Sequence, residues 1–198
     1  MSRARCKAGS AWSSGQRIKN GAINVTPDGT HLVPIHDLVK KSHRSTGLVT
    51  TTRVTHATPA TFASVVPKRG QEDAIALQYL ERGVDVILGG GSKHFDGAGR
   101  KDKVDLSGRY QKAGYTVVES RDQLLDGIEG IPGRLLGTFW PTHLPYSIDR
   151  NRDAEIASQV PTLGEMMRSA LGILEQNRAG FLLQVEGGRI AAGLRGRG

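Results

Sequence analysis

Of cysteine the chain has a single residue, Cys6, among 198. That excludes an internal disulfide framework and a cysteine-rich zinc site built within one chain. Long apolar runs are missing too. None approaches the ~20 residues that span a bilayer, so no transmembrane segment is expected. The Arg- and Lys-bearing N-terminus also lacks the apolar run of a secretory signal peptide. Acid is absent from both ends. Residues 1–20 carry Arg3, Arg5, Lys7, Arg17 and Lys19 without an Asp or Glu, and residues 187–198 carry Arg189, Arg195 and Arg197 without one. These eight account for the formal net charge of +8, so the 19 basic and 19 acidic residues between them cancel. No basic domain results, and specific nucleic-acid binding is not expected. A short basic arm meets a polyanion only non-specifically, by releasing counterions.

What is present is an alternation of two periods. The apolar residues, 37% of the chain against 23% charged, recur in runs along its length, which argues against a wholly disordered protein. At this length one domain with its own core is the expectation. We place a basic segment at 1–9, the domain at 10–190 and a Gly/Arg tail at 191–198. Short runs rich in Val, Leu, Ile or Thr predict strands at Thr46–Thr52, Asp85–Gly89, Tyr115–Glu119, Arg134–Phe139 and Gly180–Glu186. Continuous rather than alternating apolarity suits strands buried on both faces. Between them Gln71–Arg82 predicts a helix ending near Gly83, and Ile35–His43 a shorter one opened by Pro34. Leu163–Gln176 sets Leu163, Met166, Met167, Ala170, Leu171 and Leu174 on one stripe, with both methionines read as core. Thr162 and Glu165 have the spacing of a capping box at its start. Strands alternating with helices give the fold class: α/β, a parallel-rich sheet with helices on both faces. Residues 139–162 read as an exposed excursion without sustained period, and the opening MSRARCKAGS continues no element.

In an open parallel sheet, functional groups collect beyond the carboxyl ends of strands. Three places respond. After the first strand comes Arg53-Val54-Thr55-His56-Ala57-Thr58-Pro59, an imidazole among hydroxyls; after the last comes Glu186-Gly187-Gly188-Arg189. After Ile87-Leu88 come Gly89, Gly90 and Gly91, then Ser92, Lys93 and His94. Taken singly each signal has two readings. Glu186 is a metal ligand or a surface carboxylate, and His56 and Thr58 are ligands or the cap of the next helix. The triple glycine lacks the spacing and the Lys-Ser/Thr ending of a P-loop and reads as a tight turn. His31, His36 and His43 share no ligand spacing and read as surface residues, while His94 and His143 stand alone.

In combination the motifs are more specific. AWSSGQRIKNGAI, GLVTTTRVTHATPATF, Pro67-Lys68-Arg69 followed by the acidic pair Glu72-Asp73, DVILGGGSKHF, PTLGEMMRSAL and GFLLQVEGGRI resemble the alkaline phosphatase family, in that family's order, from about Ser10 to Ile190. The resemblance implies an α/β/α phosphomonoester hydrolase that moves a phosphoryl group to serine and then to water with two zinc ions and one magnesium. It implies a periplasmic or extracellular setting, and a homodimer. By the matching motifs Thr58 and Glu186 stand as magnesium ligands and His56 as a neighbour of that metal. Arg69 stands as the phosphate-binding arginine. The roles suit the chemistry, since magnesium prefers oxygen ligands and a guanidinium clamps the equatorial oxygens of a transferring phosphoryl group.

The same comparison exposes departures. The family's nucleophile, in an Asp-Ser-Ala segment seven residues ahead of the tryptophan matching Trp12, corresponds to Arg5, which cannot attack phosphorus; Cys6 beside it is not aligned for the task. Two zinc-ligand positions read Ala191 and Arg195, neither able to replace its counterpart. The family's first strand, with an aspartate shared by two metals, and its final Asp-His pair and last histidine have no counterpart in the chain. The expectation is a phosphatase core incomplete at both ends and without useful turnover, its ends the product of a mis-set start, a frame slip or a partial gene. Two other functions stay open: a non-catalytic fragment holding phosphate or magnesium weakly through Arg69, Thr58 and Glu186, and a nucleic-acid binder acting through its basic ends.

Overall fold

The computed structural model describes residues 3–18, 20–125, 130 and 132–193, with side chains from residue 6 to residue 190 of that set. All five expected strands form: β1 (Ser45–Arg53), β2 (Val86–Gly90), β3 (Thr116–Val118), β4 (Leu135–Thr138) and β5 (Phe181–Glu186). They build one sheet in the order β3-β4-β2-β1-β5, every pair parallel. The helices among the described residues are α1 (Arg3–Ser14), α2 (Ile35–Lys41), α3 (Ala57–Ala63), α4 (Glu72–Arg82), α5 (Leu106–Lys112), α6 (Arg121–Leu125), α7 (Ser147–Arg152), α8 (Ala154–Gln159), α9 (Leu163–Leu174) and α10 (Gly188–Gly193). None is long and apolar enough to cross a membrane.

The two-residue period of the strands distributes the core. Leu48, Ile87 and Leu136 face one side, where they pack with Ile75, Ala76 and Tyr79 of α4 and with Leu106 and Tyr110 of α5. Their neighbours Val49, Val86, Leu88 and Leu135 face the other side, against Met166, Ala170, Ile173 and Leu174 of α9. Parallel central strands must bury both faces because their crossover helices cover both, and β1, β2 and β4 do so. β5 differs. It ends the sheet, and Phe181 and Val185 stay exposed, so the expectation of burial on both faces fails there.

The helix termini follow local chemistry. α4 ends where Gly83 takes a left-handed conformation (φ 68°), and α9 starts with the expected capping box between Thr162 and Glu165. The buried stripe of α9 runs 166, 170, 173 and 174, leaving Met167 partly exposed rather than in the core. Two other expectations need correction. Residues 3–14 form α1, which packs on α3 through Cys6, Ala57 and their apolar neighbours, and the excursion between Phe139 and Thr162 carries α7 and α8. All three are weakly patterned; α1 is stabilised by what it lies against, whereas α7 and α8, six residues each, bury no residue, and α8 is started by the Asp153 cap.

The strand order creates a switch point. From β1 the chain crosses to β2 on one side, whereas β5 returns to the opposite side of β1, in register Thr50↔Glu186. Diverging crossovers leave a crevice beyond the carboxyl ends of such a strand pair, and ligands of open α/β sheets bind there.

Candidate functional site

The crevice beyond β1 and β5 is lined by hydroxyls and one carboxylate. Thr50 donates to Glu186 Oε2 at 3.0 Å, Thr52 Oγ1 lies 3.5 Å from the same oxygen, and the two threonine hydroxyls are 2.8 Å apart. Glu186 thus has hydroxyls rather than cations as its partners among the described residues. Gly188 makes this approach possible, because a Cβ there would collide with the Thr52 methyl and crowd the Glu186 carboxylate. Thr58, in the first turn of α3, shares a cavity of about 400 Å³ with Gln184, Glu186 and Gly187. The structure therefore brings Thr58 and Glu186 to one place from distant parts of the sequence. It does not use His56 and Thr58 as side-chain caps: His56 is the residue before α3, and its side chain makes no capping bond.

His56 is buried behind this cavity, with Nε2 at 3.4 Å from Arg69 Nη2. Arg69 sits in a turn whose start is fixed by the bridge Ile23↔Val66 and whose backbone N–H donates to Gly21 O at 2.8 Å. The cluster of Arg69 with Cys6 was not legible in the sequence. Burial pushes the Cys6 thiol up, and the Arg69 guanidinium beside it opposes that shift without overcoming it. A fully buried, protonated thiol is an inert one. The backbone of Arg5 lies in α1, but its side chain falls outside the described residues, as do the side chain of Ala191 and all of Arg195.

A second polar layer supports the first, and it corrects the reading of two histidines as solitary. Arg53, the last residue of β1, forms a bidentate pair with Glu72 of α4 (2.7 and 2.9 Å) and meets both ring nitrogens of His143. Its backbone N–H reaches Nδ1 and its Nη1 reaches Nε2, each at 3.0 Å. Thr55 donates to Glu72 at 2.6 Å, and His94 lies 3.3 Å from Glu72 and 2.7 Å from Asp73. Burial works to raise the Glu72 carboxyl, but the contacts from His94, Arg53 and Thr55 outweigh it and hold the group below the usual carboxylate range. The His143 ring stands edge-on to His56, centroids 5.2 Å apart at 79°. His36 is likewise buried rather than at the surface, against Asp37. The reading of the triple glycine as a tight turn needs correction: Gly89 and Gly90 end β2, and only Gly91 turns, at φ 96°.

Oxygen donors suit magnesium, and the cavity supplies them. Besides Thr58 and Glu186 it is lined by Gln184, whose buried side-chain carbonyl has no hydrogen-bond partner among the described residues. Among the described residues no group of three or more His, Cys, Asp and Glu is placed to hold a metal ion.

An open parallel sheet covered by helices on both faces, with a cavity holding Thr58 and Glu186 beyond its switch point, defines a doubly wound α/β protein. A sequence model of the alkaline phosphatases matches residues 5–194, and the chain belongs to that family. It is 36% identical to alkaline phosphatase 3 of Bacillus subtilis over 189 residues, 92% of this chain and 38% of the relative. It is also 36% identical to the repressible alkaline phosphatase of Saccharomyces cerevisiae, covering 91% of this chain and 36% of that protein. The crystal structure of Thermus thermophilus alkaline phosphatase superposes with a TM-score of 0.88 at 44% identity, over 95% of this chain and 38% of that one. The chain thus spans under two fifths of the length of these relatives.

Proposed function

We propose that the chain is the phosphate- and magnesium-holding part of an alkaline phosphatase, a binder of phosphate monoesters without turnover of its own. The observation that carries this reading is convergence. Thr58 and Glu186, from opposite ends of the domain, line one cavity, while His56 joins that wall to Arg69. Arg69 would hold two oxygens of a phosphoryl group through its planar fork, which a lysine could not reproduce. Glu186 and Thr58 would hold the magnesium, with the Gln184 carbonyl near. A bound magnesium would supply positive charge for an anionic ligand and a source of ordered water. Glu186 is suited to the role because it has no cationic partner among the described residues and one of its oxygens is positioned by Thr50.

Turnover is a different matter. The position of the family's serine reads Arg5, and two zinc-ligand positions read Ala191 and Arg195. An arginine offers no nucleophilic oxygen, and losing the nucleophile of a hydrolase costs on the order of a million-fold in rate. Export to a periplasmic or extracellular setting, and homodimerisation, belong to the same proposal by family kinship. Calorimetric titration of dialysed protein tests the reading. Magnesium and inorganic phosphate are expected to bind, with phosphate lost in Arg69→Ala and magnesium lost in Glu186→Gln. Zinc- and magnesium-dependent hydrolysis of a chromogenic phosphomonoester, abolished in Arg69→Ala, would show the absence of turnover to be wrong.

A further inference from the structure

We infer that His143 is a positioning residue for the phosphate arginine, acting through His56, and that the Arg53–Glu72 pair fixes it for that task. The inference rests on the proposed phosphate site and adds a residue outside it. His143 lies in the loop after β4, Arg53 at the end of β1 and Glu72 at the start of α4, so three separate elements meet at one imidazole. Each joint is specific. The pair Arg53–Glu72 is bidentate, its side chains 17% and 14% exposed, and Thr55 and His94 also reach the same carboxylate. A guanidinium held by two parallel bonds has a fixed plane. From that plane Nη1 meets one ring nitrogen of His143 while the backbone N–H of the same arginine meets the other, each at 3.0 Å. Both groups of Arg53 are donors and a neutral imidazole has one acceptor nitrogen, so one of the two contacts is a hydrogen bond and the other a close approach; together they define the orientation of the ring.

The fixed ring then presents its face or edge to His56 at 79°, and His56 Nε2 lies 3.4 Å from Arg69 Nη2. Arg69 is a long side chain with many rotamers, and ordering it before phosphate arrives removes part of the entropic cost of binding. His143 is not among the residues that line the cavity, and its ring contact with His56 is the link the inference uses. Outer residues that orient the groups touching a ligand commonly matter nearly as much as those groups themselves.

The test uses the full chain, inorganic phosphate as the probe and a double-mutant cycle read by calorimetry, with a thermal melt on each variant. His143→Gln keeps an acceptor for Arg53 but removes the ring. It is expected to weaken phosphate about fivefold, a coupling in the ordinary range for contacting residues, with little change in Tm. In a His56→Leu background the same substitution should have no further effect on affinity. If His143→Gln leaves phosphate affinity unchanged while Arg69→Ala abolishes it, or if the two effects simply add, the inference is overturned and the phosphate site stands. If the unaltered chain takes up no phosphate, or Arg69→Ala binds as it does, the phosphate site falls and the inference falls with it. Should His143→Gln not fold, His143→Asn serves instead: it too keeps an acceptor and removes the ring, is expected to weaken phosphate about fivefold, and unchanged affinity there overturns the inference.

Discussion

Replacing Glu72 by glutamine should expose how strongly the layer behind the site depends on one charge. Glu72 accepts two hydrogen bonds from Arg53 and one from Thr55, and His94 lies beside it. Glutamine fits the same space but offers one oxygen and no charge, so the Arg53 guanidinium is left largely desolvated without a counter-ion. Removing one partner of a buried pair costs about 3–5 kcal/mol, and the lower end applies because both side chains retain some exposure. A loss of about 3 kcal/mol corresponds to a fall in Tm of roughly 6–12 °C for a chain of this size. Urea unfolding followed by circular dichroism should show a lower midpoint at unchanged slope. The dependence on pH has a definite sign. The folded-state pKa of Glu72 is depressed, so its contribution is fully present above the unfolded value of ~4.3 and is lost as pH falls below it toward the folded value. The gap between the unaltered chain and Glu72→Gln should therefore be constant from about pH 7 to 5 and narrow below about pH 4. A loss under about 1 kcal/mol at neutral pH, or a gap that widens in acid, would refute the account of the pair.

Two further substitutions probe the fold and the cavity separately. Thr162→Ala removes the hydroxyl that accepts from the Glu165 backbone and should cost about 1 kcal/mol in urea unfolding, leaving phosphate affinity untouched. Gly188→Ala drives a Cβ into Thr52 and against the Glu186 carboxylate, and is expected to weaken magnesium at least about tenfold in titration calorimetry while the chain stays folded. Undiminished magnesium binding in that variant would remove Glu186 from the cation site.

Much of the architecture was legible because its causes are local. Runs such as Val86-Ile87-Leu88 can satisfy two buried faces only as an inner parallel strand, and Thr162 with Glu165 marks a helix start whatever lies around it. α1, α7 and α8 were missed because their patterns are too short or too polar to outweigh turn signals; burial against α3 decides α1, while α7 and α8 bury no residue. Thr58, Glu186, His56 and Arg69 were singled out by motif as candidates, but not their company. In the sequence His94 and His143 are far from the residues that partner them. The structure sets them against Asp73 and Arg53, because β1, α4 and the loops after β2 and β4 converge at one end of the sheet.

Taken by itself, the sequence determined the periods, the caps and the cancelling charge of the middle. Tertiary structure alone decided that β5 ends the sheet, that Thr58 and Glu186 share a cavity and that His143 reaches His56. The reason is physical. Hydrogen-bonding pattern and apolar period act over a few residues and are written in the chain. Strand order and the meeting of loops are settled by burial of the whole core, which no local stretch encodes.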